Sequence, residues 1–237
     1  MSESGFFTTS SHRLPHPVVP LRVILATHAA LTRAFELLRS SPPAGFHLED
    51  AKEDDITRQL HTILEDRFLT SHEVAGFDRR RIRNVVRAPE VSNHDGSHPA
   101  KKPDLVLFLL RRERWSVRSS QDAIFAECKP VDDSHAVGQH YCDQGIMRFV
   151  NGDYAWAMQD GLMVGFVRGN RTVSENLSPV LAGEDRHEKL GSPTPPVIVL
   201  PKQAAPLHST EHGRNFAWMI GRQAGKIRLF HSWHACG

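Results

Sequence analysis

Cysteine is scarce in this 237-residue chain: Cys128, Cys142 and Cys236 are odd in number and show no Cys-x-x-Cys spacing. That argues against a disulfide framework and against structural zinc, and it predicts a reducing compartment, hence a cytoplasmic protein. Long apolar runs are missing as well. None approaches the ~20 residues that span a bilayer, so no membrane association is expected. The first twenty residues hold Ser, His and Pro but neither a basic n-region nor an apolar core, and read as a flexible segment, not a signal peptide. Charge of one sign is also lacking: 29 Lys and Arg face 27 Asp and Glu. No internal repeat is visible. With 40% hydrophobic and 24% charged residues, 21–237 is expected to form one compact domain.

What is present is concentrated between residues 103 and 129. Pro103-Asp104 opens the apolar run Leu105 to Leu110, and Ala123-Ile124-Phe125-Ala126 leads directly into Glu127-Cys128-Lys129. Near-continuous apolar runs predict strands covered on both faces. Alternation along such a strand puts Glu127 and Lys129 on one face and Cys128 on the other. A bland reading is a surface Glu/Lys pair at a strand end, worth little. The other reading is chemical. Carboxylates at the mouths of neighbouring strands can hold a hard cation that acidifies a water, and a lysine beside them can orient that water.

Asp104 followed by Glu127-Cys128-Lys129 resembles the PD-(D/E)xK nucleases, the restriction-endonuclease-like superfamily. The resemblance covers about residues 47–170. It implies an α/β fold with a mixed central sheet flanked by helices, here with an N-terminal helix and a C-terminal sheet extension. It also implies Mg²⁺, with Mn²⁺ able to substitute, held by Asp104, Glu127 and the Cys128 backbone carbonyl, with Glu53 completing the shell and Lys129 positioning the water. DNA is the implied partner, with RNA also open, together with a second copy or a defence-system protein. Restriction or anti-phage defence is the implied context, by analogy alone. A non-catalytic or partner-regulated nucleic-acid-binding module of the same fold is the alternative.

Glu53 enters through helix periodicity. Ile56, Leu60, Ile63, Leu64 and Phe68 form one apolar stripe of a helix expected from about His47 to Phe68. Glu53 shares that face, with Glu49 in reserve one turn earlier. The competing account is that Glu49, Asp50, Glu53, Asp54 and Asp55 favour the positive end of a helix.

Local charge is basic where global charge is not. From Arg79 to Arg118 there are eleven Lys or Arg against four acids. Arg79, Arg80, Arg81, Arg83, Arg87, Lys101 and Lys102 flank the carboxylate motif and are candidates for phosphate contact. A solvated, charge-alternating face is the competing reading, and it is the preferred one for Arg111, Arg112 and Arg114. Gln139, in the helix after the motif, resembles a DNA-contacting position of some superfamily members, whereas Tyr141 reads as packing and Arg148 as a surface pair.

Fifteen histidines raise the question of zinc. His208-Ser209-Thr210-Glu211-His212 matches an inverted metallopeptidase pattern, with His208 and His212 as ligands and Glu211 as base if the segment is helical. Pro206 and Gly213 leave little room for that helix. Phosphate contact by His208, His212 or Arg214, or plain loop histidines, are the other readings. Elsewhere, helices are expected over Leu21 to Leu38 and Ser134 to Val150, and strands over 76–91, Asp104 to Leu110, Ala123 to Val131 and Leu162 to Val167. A polar loop should fill 171–196, with edge strands at Val197 to Leu200 and Gly225 to His231.

Overall fold

The computed structural model describes residues 13–111, 118–200, 205–218 and 221–237. Seven strands form one mixed sheet: β1 (Ile82–Arg87), β2 (Leu105–Leu109), β3 (Ala123–Val131), β4 (Asp160–Val167), β5 (Val197–Leu200), β6 (Leu207–His212) and β7 (Ile227–Ala235). Their spatial order is β1-β2-β3-β4-β7-β6-β5. β2 is antiparallel to both its neighbours β1 and β3, β3, β4 and β7 run parallel, and β6 is antiparallel to both β7 and β5.

Parallel neighbours need a crossover. Between β3 and β4 it is the π-helical stretch Val137–Ile146, which runs on into Met147–Val150. This helix covers one face of the sheet, where Tyr141 meets His231 and Trp233. Helix α1 (Leu21–Ser40) covers the other, with Phe35 against Phe166 and His234. Sandwiched in this way, all eight residues of β4 are buried. Gly165 is small for a reason: an added Cβ would lie 2.5 Å from the Trp233 indole.

Helix α2 (Glu53–Thr62) continues without a break through π-helical turns at Ile63–Phe68 to Leu69–Ser71. Ile56, Leu60, Leu64 and Phe68 are completely buried, as the periodicity predicts. The helix begins at Glu53 and not near His47. Arg168 takes the carbonyls of Glu49 and Ala51 as hydrogen-bond acceptors, and buried Phe46 and Leu48 pin the approach, so those carbonyls serve a tertiary tie. Glu49 therefore lies in an exposed turn.

Other expectations are corrected. The strand expected over 76–91 shortens to β1, because Asp78 accepts from the Arg80 N–H and the Arg81 guanidinium and holds a turn. The polar stretch 171–196 is not a loop: Val173–Leu177, Ser178–Ala182 and Glu184–His187 are helical. Val173, Leu177 and Leu181 bury at four-residue spacing beneath its polar composition. β7 is internal, not an edge. Its polar residues are satisfied in place: Ser232 bonds His28 and His234, and His231 bonds Tyr141 and Thr210. The segment expected to be flexible, 1–20, is tied down where it is described. His16 N–H donates to the Ala157 carbonyl and Val19 N–H to Asp160; residues 1–12 lie outside the described residues. Arg112 and Arg114 also lie outside them, while Arg111 forms a part-buried pair with Asp122 at 2.8 Å, not a solvated tip.

At one edge of the sheet, β1 has its outward backbone covered. Val85 N–H donates to Glu65, Val85 carbonyl accepts from His61, and Arg83 carbonyl accepts from Arg79. At the other edge, Val197 and Ile198 of β5 are exposed. Among the described residues no helix is long and apolar enough to cross a membrane.

Candidate functional site

The site forms where β2 stops and β3 does not. β2 pairs with β3 only through Leu105 opposite Ala126, so Glu127 to Val131 keep a neighbour on the β4 side alone. Pro130 marks the change. A proline has no N–H for a ladder, and here its nitrogen faces the side that β2 has left. Cys128 N–H faces the same side and donates to Asp104 Oδ2 at 2.7 Å. Asp104 thus bridges the gap from the start of β2. Because N–H and C=O of one strand residue point to the same side, the Cys128 carbonyl opens onto this space as well.

Four of the charged residues singled out in the sequence meet here. Lys129 Nζ is 2.9 Å from Glu53 Oε1, 3.0 Å from Glu127 Oε1 and 3.8 Å from Asp104 Oδ2. Glu53 comes from the first turn of α2, Asp104 from the mouth of β2, and Glu127 and Lys129 from one face of β3. Cys128 is fully buried on the opposite face. The side chains of Glu127 and Lys129 are 7% and 11% exposed, against 31% for Glu53. Entry is therefore from the Glu53 side.

Burial governs the electrostatics. Desolvation pushes the Asp104 carboxyl up to about 6, against the pull of Lys129 and the Cys128 N–H. It pushes Glu127 up to about 7, with the Asp104 charge adding to the rise. Lys129 is desolvated too, but the surrounding Glu127, Asp104 and Glu53 outweigh that cost and raise its pKa. The ammonium thus stays charged and serves as counter-ion to all three acids.

Two residues that sequence reasoning missed build the walls. Buried Tyr154 donates its hydroxyl to Glu127 Oε2 and is itself held by Phe125 and Phe149. It reaches in from a turn, where no periodicity could flag it; its only signal is rarity, as one of two tyrosines. Gly145 of the crossover helix sits against the site. A Cβ there would be 2.7 Å from Met163 Cε, 3.4 Å from Lys129 Cγ and 3.7 Å from Glu127 Cγ. The glycine lets the helix approach this closely.

Among the described residues no three Asp, Glu, His or Cys side chains already converge as a ready cation cage. Lys129 Nζ takes the centre, and the carboxylate oxygens turn toward it. The donor set itself suits a hard divalent cation: oxygen ligands from Asp104, Glu127 and Glu53, with the Cys128 carbonyl beside them. In comparisons with known proteins, no family model, curated protein or solved structure matches this chain.

The remaining candidates lie elsewhere. Arg79 pairs with Glu65, Arg81 with Asp78, Lys101 with Asp153 and exposed Lys102 with Glu90. Arg83 lies over the Phe108 ring. Arg80 and Arg87 are exposed and have no carboxylate partner among the described residues. Gln139 is exposed on the crossover helix, Tyr141 is buried against His231, and Arg148 pairs with Asp153. His208, Glu211 and His212 are on strand β6, not on a helix or loop. Two positions four apart on a strand stand about 13 Å apart, so His208 and His212 cannot share one metal. His212 instead bonds Thr210 and the Leu190 carbonyl, and burial lowers its pKa to about 4.

Proposed function

We propose that this protein is a Mg²⁺-dependent nuclease of the restriction-endonuclease-like type, hydrolysing phosphodiester bonds of DNA. One observation carries the reading: Glu53, Asp104 and Glu127, distant in sequence, surround Lys129 at the one point where β3 outruns β2. A structural ion pair needs one acid per lysine. Three acids around one lysine leave two negative charges for a divalent cation.

In this reading Asp104, Glu127, the Cys128 carbonyl and Glu53 hold the cation. When bound, it supplies a Lewis acid for the phosphate and lowers the pKa of a water. The residues do the rest. Cys128 N–H fixes the orientation of Asp104. Tyr154 fixes Oε2 of Glu127, leaving Oε1 to the site. Lys129, freed from its carboxylates, turns its ammonium to the attacking water and to the charge that grows on the phosphate. Arg80 and Arg87, exposed on the β1 side and without carboxylate partners among the described residues, suit contacts to the backbone of a long polyanion.

A second reading has one observation in its favour: the same ammonium could hold the acids permanently, leaving a binding module without catalysis. Incubating purified protein with plasmid DNA in Mg²⁺, Mn²⁺ and EDTA decides between the two. The nuclease reading requires metal-dependent cutting that Asp104→Ala abolishes. Equal cutting by that variant removes it.

A further inference from the structure

A cavity of about 580 Å³ lies at the opposite end of the sheet, against the first residues of β4 and β7. Asp160 pairs there with Arg228, whereas Met163 and Gly165 stand beside Glu127 and Lys129. The separation is about 10–16 Å along the strand. Asp160 and Met163, an odd number of residues apart, also point to opposite faces. The cavity is therefore distinct from the carboxylate site.

Its lining includes Arg214, Arg222, Lys226 and Arg228 against two acids, Asp160 and Glu211. Both acids are already engaged. Arg228 bonds Asp160 at 2.8 and 2.9 Å, and Asp160 also accepts from Val19 N–H. Lys226 stands 3.6 Å from Glu211. Arg214 and Arg222 have no carboxylate partner among the described residues. Both guanidiniums lie over the Trp218 ring, at 5.8 and 5.0 Å.

Arg214 is the unusual member. It is only 6% exposed, and its Nε and Nη1 donate to backbone carbonyls of Gly225, Trp156 and Met158. Its buried Nη2 has no hydrogen-bond partner. Desolvation, with nothing opposing it, lowers its pKa to about 10. An uncompensated buried charge is among the most costly features a fold can carry, and proteins ordinarily pair it. Here the neutral carbonyls hold the guanidinium rigidly but supply no negative charge. Among the described residues no anion accompanies it.

We propose that this cavity is a binding site for a phosphate-bearing ligand, with Arg214 as its fixed anchor and Arg222 as a second, exposed arm. A planar guanidinium with a vacant N–H edge matches phosphate oxygens in geometry as well as charge. Lys226, only loosely paired, adds a third positive group at the rim. A free mononucleotide and the phosphorylated end of a nucleic-acid strand both present such a group, and the recognising chemistry is the same for both. The site does not depend on the nuclease reading.

The experiment is a calorimetric titration of the full chain with inorganic phosphate at low ionic strength, without divalent cation. Wild type should show one saturable site, and the Arg222→Ala, Lys226→Ala double variant should bind about tenfold more weakly, as expected for lost charge-assisted contacts. Both substituted side chains are exposed, so the double variant keeps its fold, which circular dichroism verifies. Asp104→Ala should bind phosphate like wild type, which separates this site from the carboxylate site. Further titrations with a 5′-mononucleotide and with a 5′-phosphorylated oligonucleotide and its dephosphorylated form identify the source. Tighter binding of the phosphorylated strand than of the mononucleotide points to a strand end, and the reverse order to a free nucleotide. No saturable phosphate binding by wild type, or equal affinity in the double variant, overturns the proposal.

Discussion

Tyr154 and Lys129 divide the Glu127 carboxylate between them. The phenol donates to Oε2 and the ammonium lies 3.0 Å from Oε1. One oxygen is thereby committed to the protein interior and the other to the site. Removing the phenol oxygen should free the carboxylate to rotate. Tyr154→Phe is expected to lower kcat about tenfold or more by loss of positioning, with a smaller change in KM and the fold retained. Steady-state kinetics on a short duplex check this. Unchanged kcat would make Tyr154 a packing residue only.

Lys129 carries two roles that metal can separate. As counter-ion to three acids it holds the metal-free site together, and breaking a buried ion network costs about 3–5 kcal/mol. Lys129→Ala should therefore lower the melting temperature in EDTA. Millimolar Mg²⁺ should restore much of the stability but none of the cleavage, because the cation neutralises the acids yet does not orient the water. Thermal melts and plasmid assays on one preparation test both halves, and cleavage at wild-type level would end the assigned role.

The raised carboxyls set a pH dependence of defined sign. Asp104 at about 6 and Glu127 at about 7 bind protons more tightly in the folded protein than in the unfolded chain. The pair should thus contribute stability that is lost as pH rises from about 4 to 7, against the buried histidines, whose lowered pKa values contribute in the opposite direction over the same range. The cation needs the deprotonated forms, so its apparent affinity should climb over pH 6 to 8 with release of protons. Denaturant titrations and calorimetry in two buffers of different ionisation enthalpy measure these effects. The pair's share is the difference between wild type and an Asp104→Asn, Glu127→Gln variant, and identical pH profiles of stability in the two would contradict the burial of the pair.

DNA contact should fall unevenly over the basic residues. Arg80→Ala and Arg87→Ala, which break no ion pair among the described residues, should each reduce the salt slope of binding by about one. Lys101→Ala should act mainly on stability, since it abandons Asp153. Fluorescence anisotropy over a salt series distinguishes the two groups; parallel slopes for all three variants would place them on a solvated face.

Close packing of the sheet gives a prediction independent of function. Gly165→Ala should destabilise the protein by about 1–3 kcal/mol, because the new methyl meets the rigid Trp233 indole at 2.5 Å. A denaturant midpoint equal to wild type would show that the indole can retreat.

The legible parts of the sequence were those in which pattern and burial coincide. The apolar runs after Asp104 and before Glu127 located β2 and β3, and the stripe from Ile56 to Phe68 aimed Glu53 toward Lys129. β7 was misread because three buried polar residues, His231, Ser232 and His234, interrupt its apolar pattern. Tyr141 and Thr210 satisfy His231, and His28 satisfies Ser232, which in turn bonds His234; no local window can supply those distant partners. The helices in 171–196 were hidden by sparse anchors in a polar composition. Tyr154 was illegible as a site residue, because it acquires its meaning only from the Glu127 carboxylate that folding brings beside it, and Arg214 was legible as a phosphate candidate but not as a buried guanidinium with an unpaired Nη2.

The two borders of the sheet differ in a way that bears on assembly. Side chains from the neighbouring helix and turn seal β1, whereas β5 presents Val197 and Ile198 to solvent. A ribbon open at one border only can accept a single visiting strand and then has nowhere further to grow. Among the described residues, strand addition at the β5 border would join two copies edge to edge and leave no second open border on the sheet.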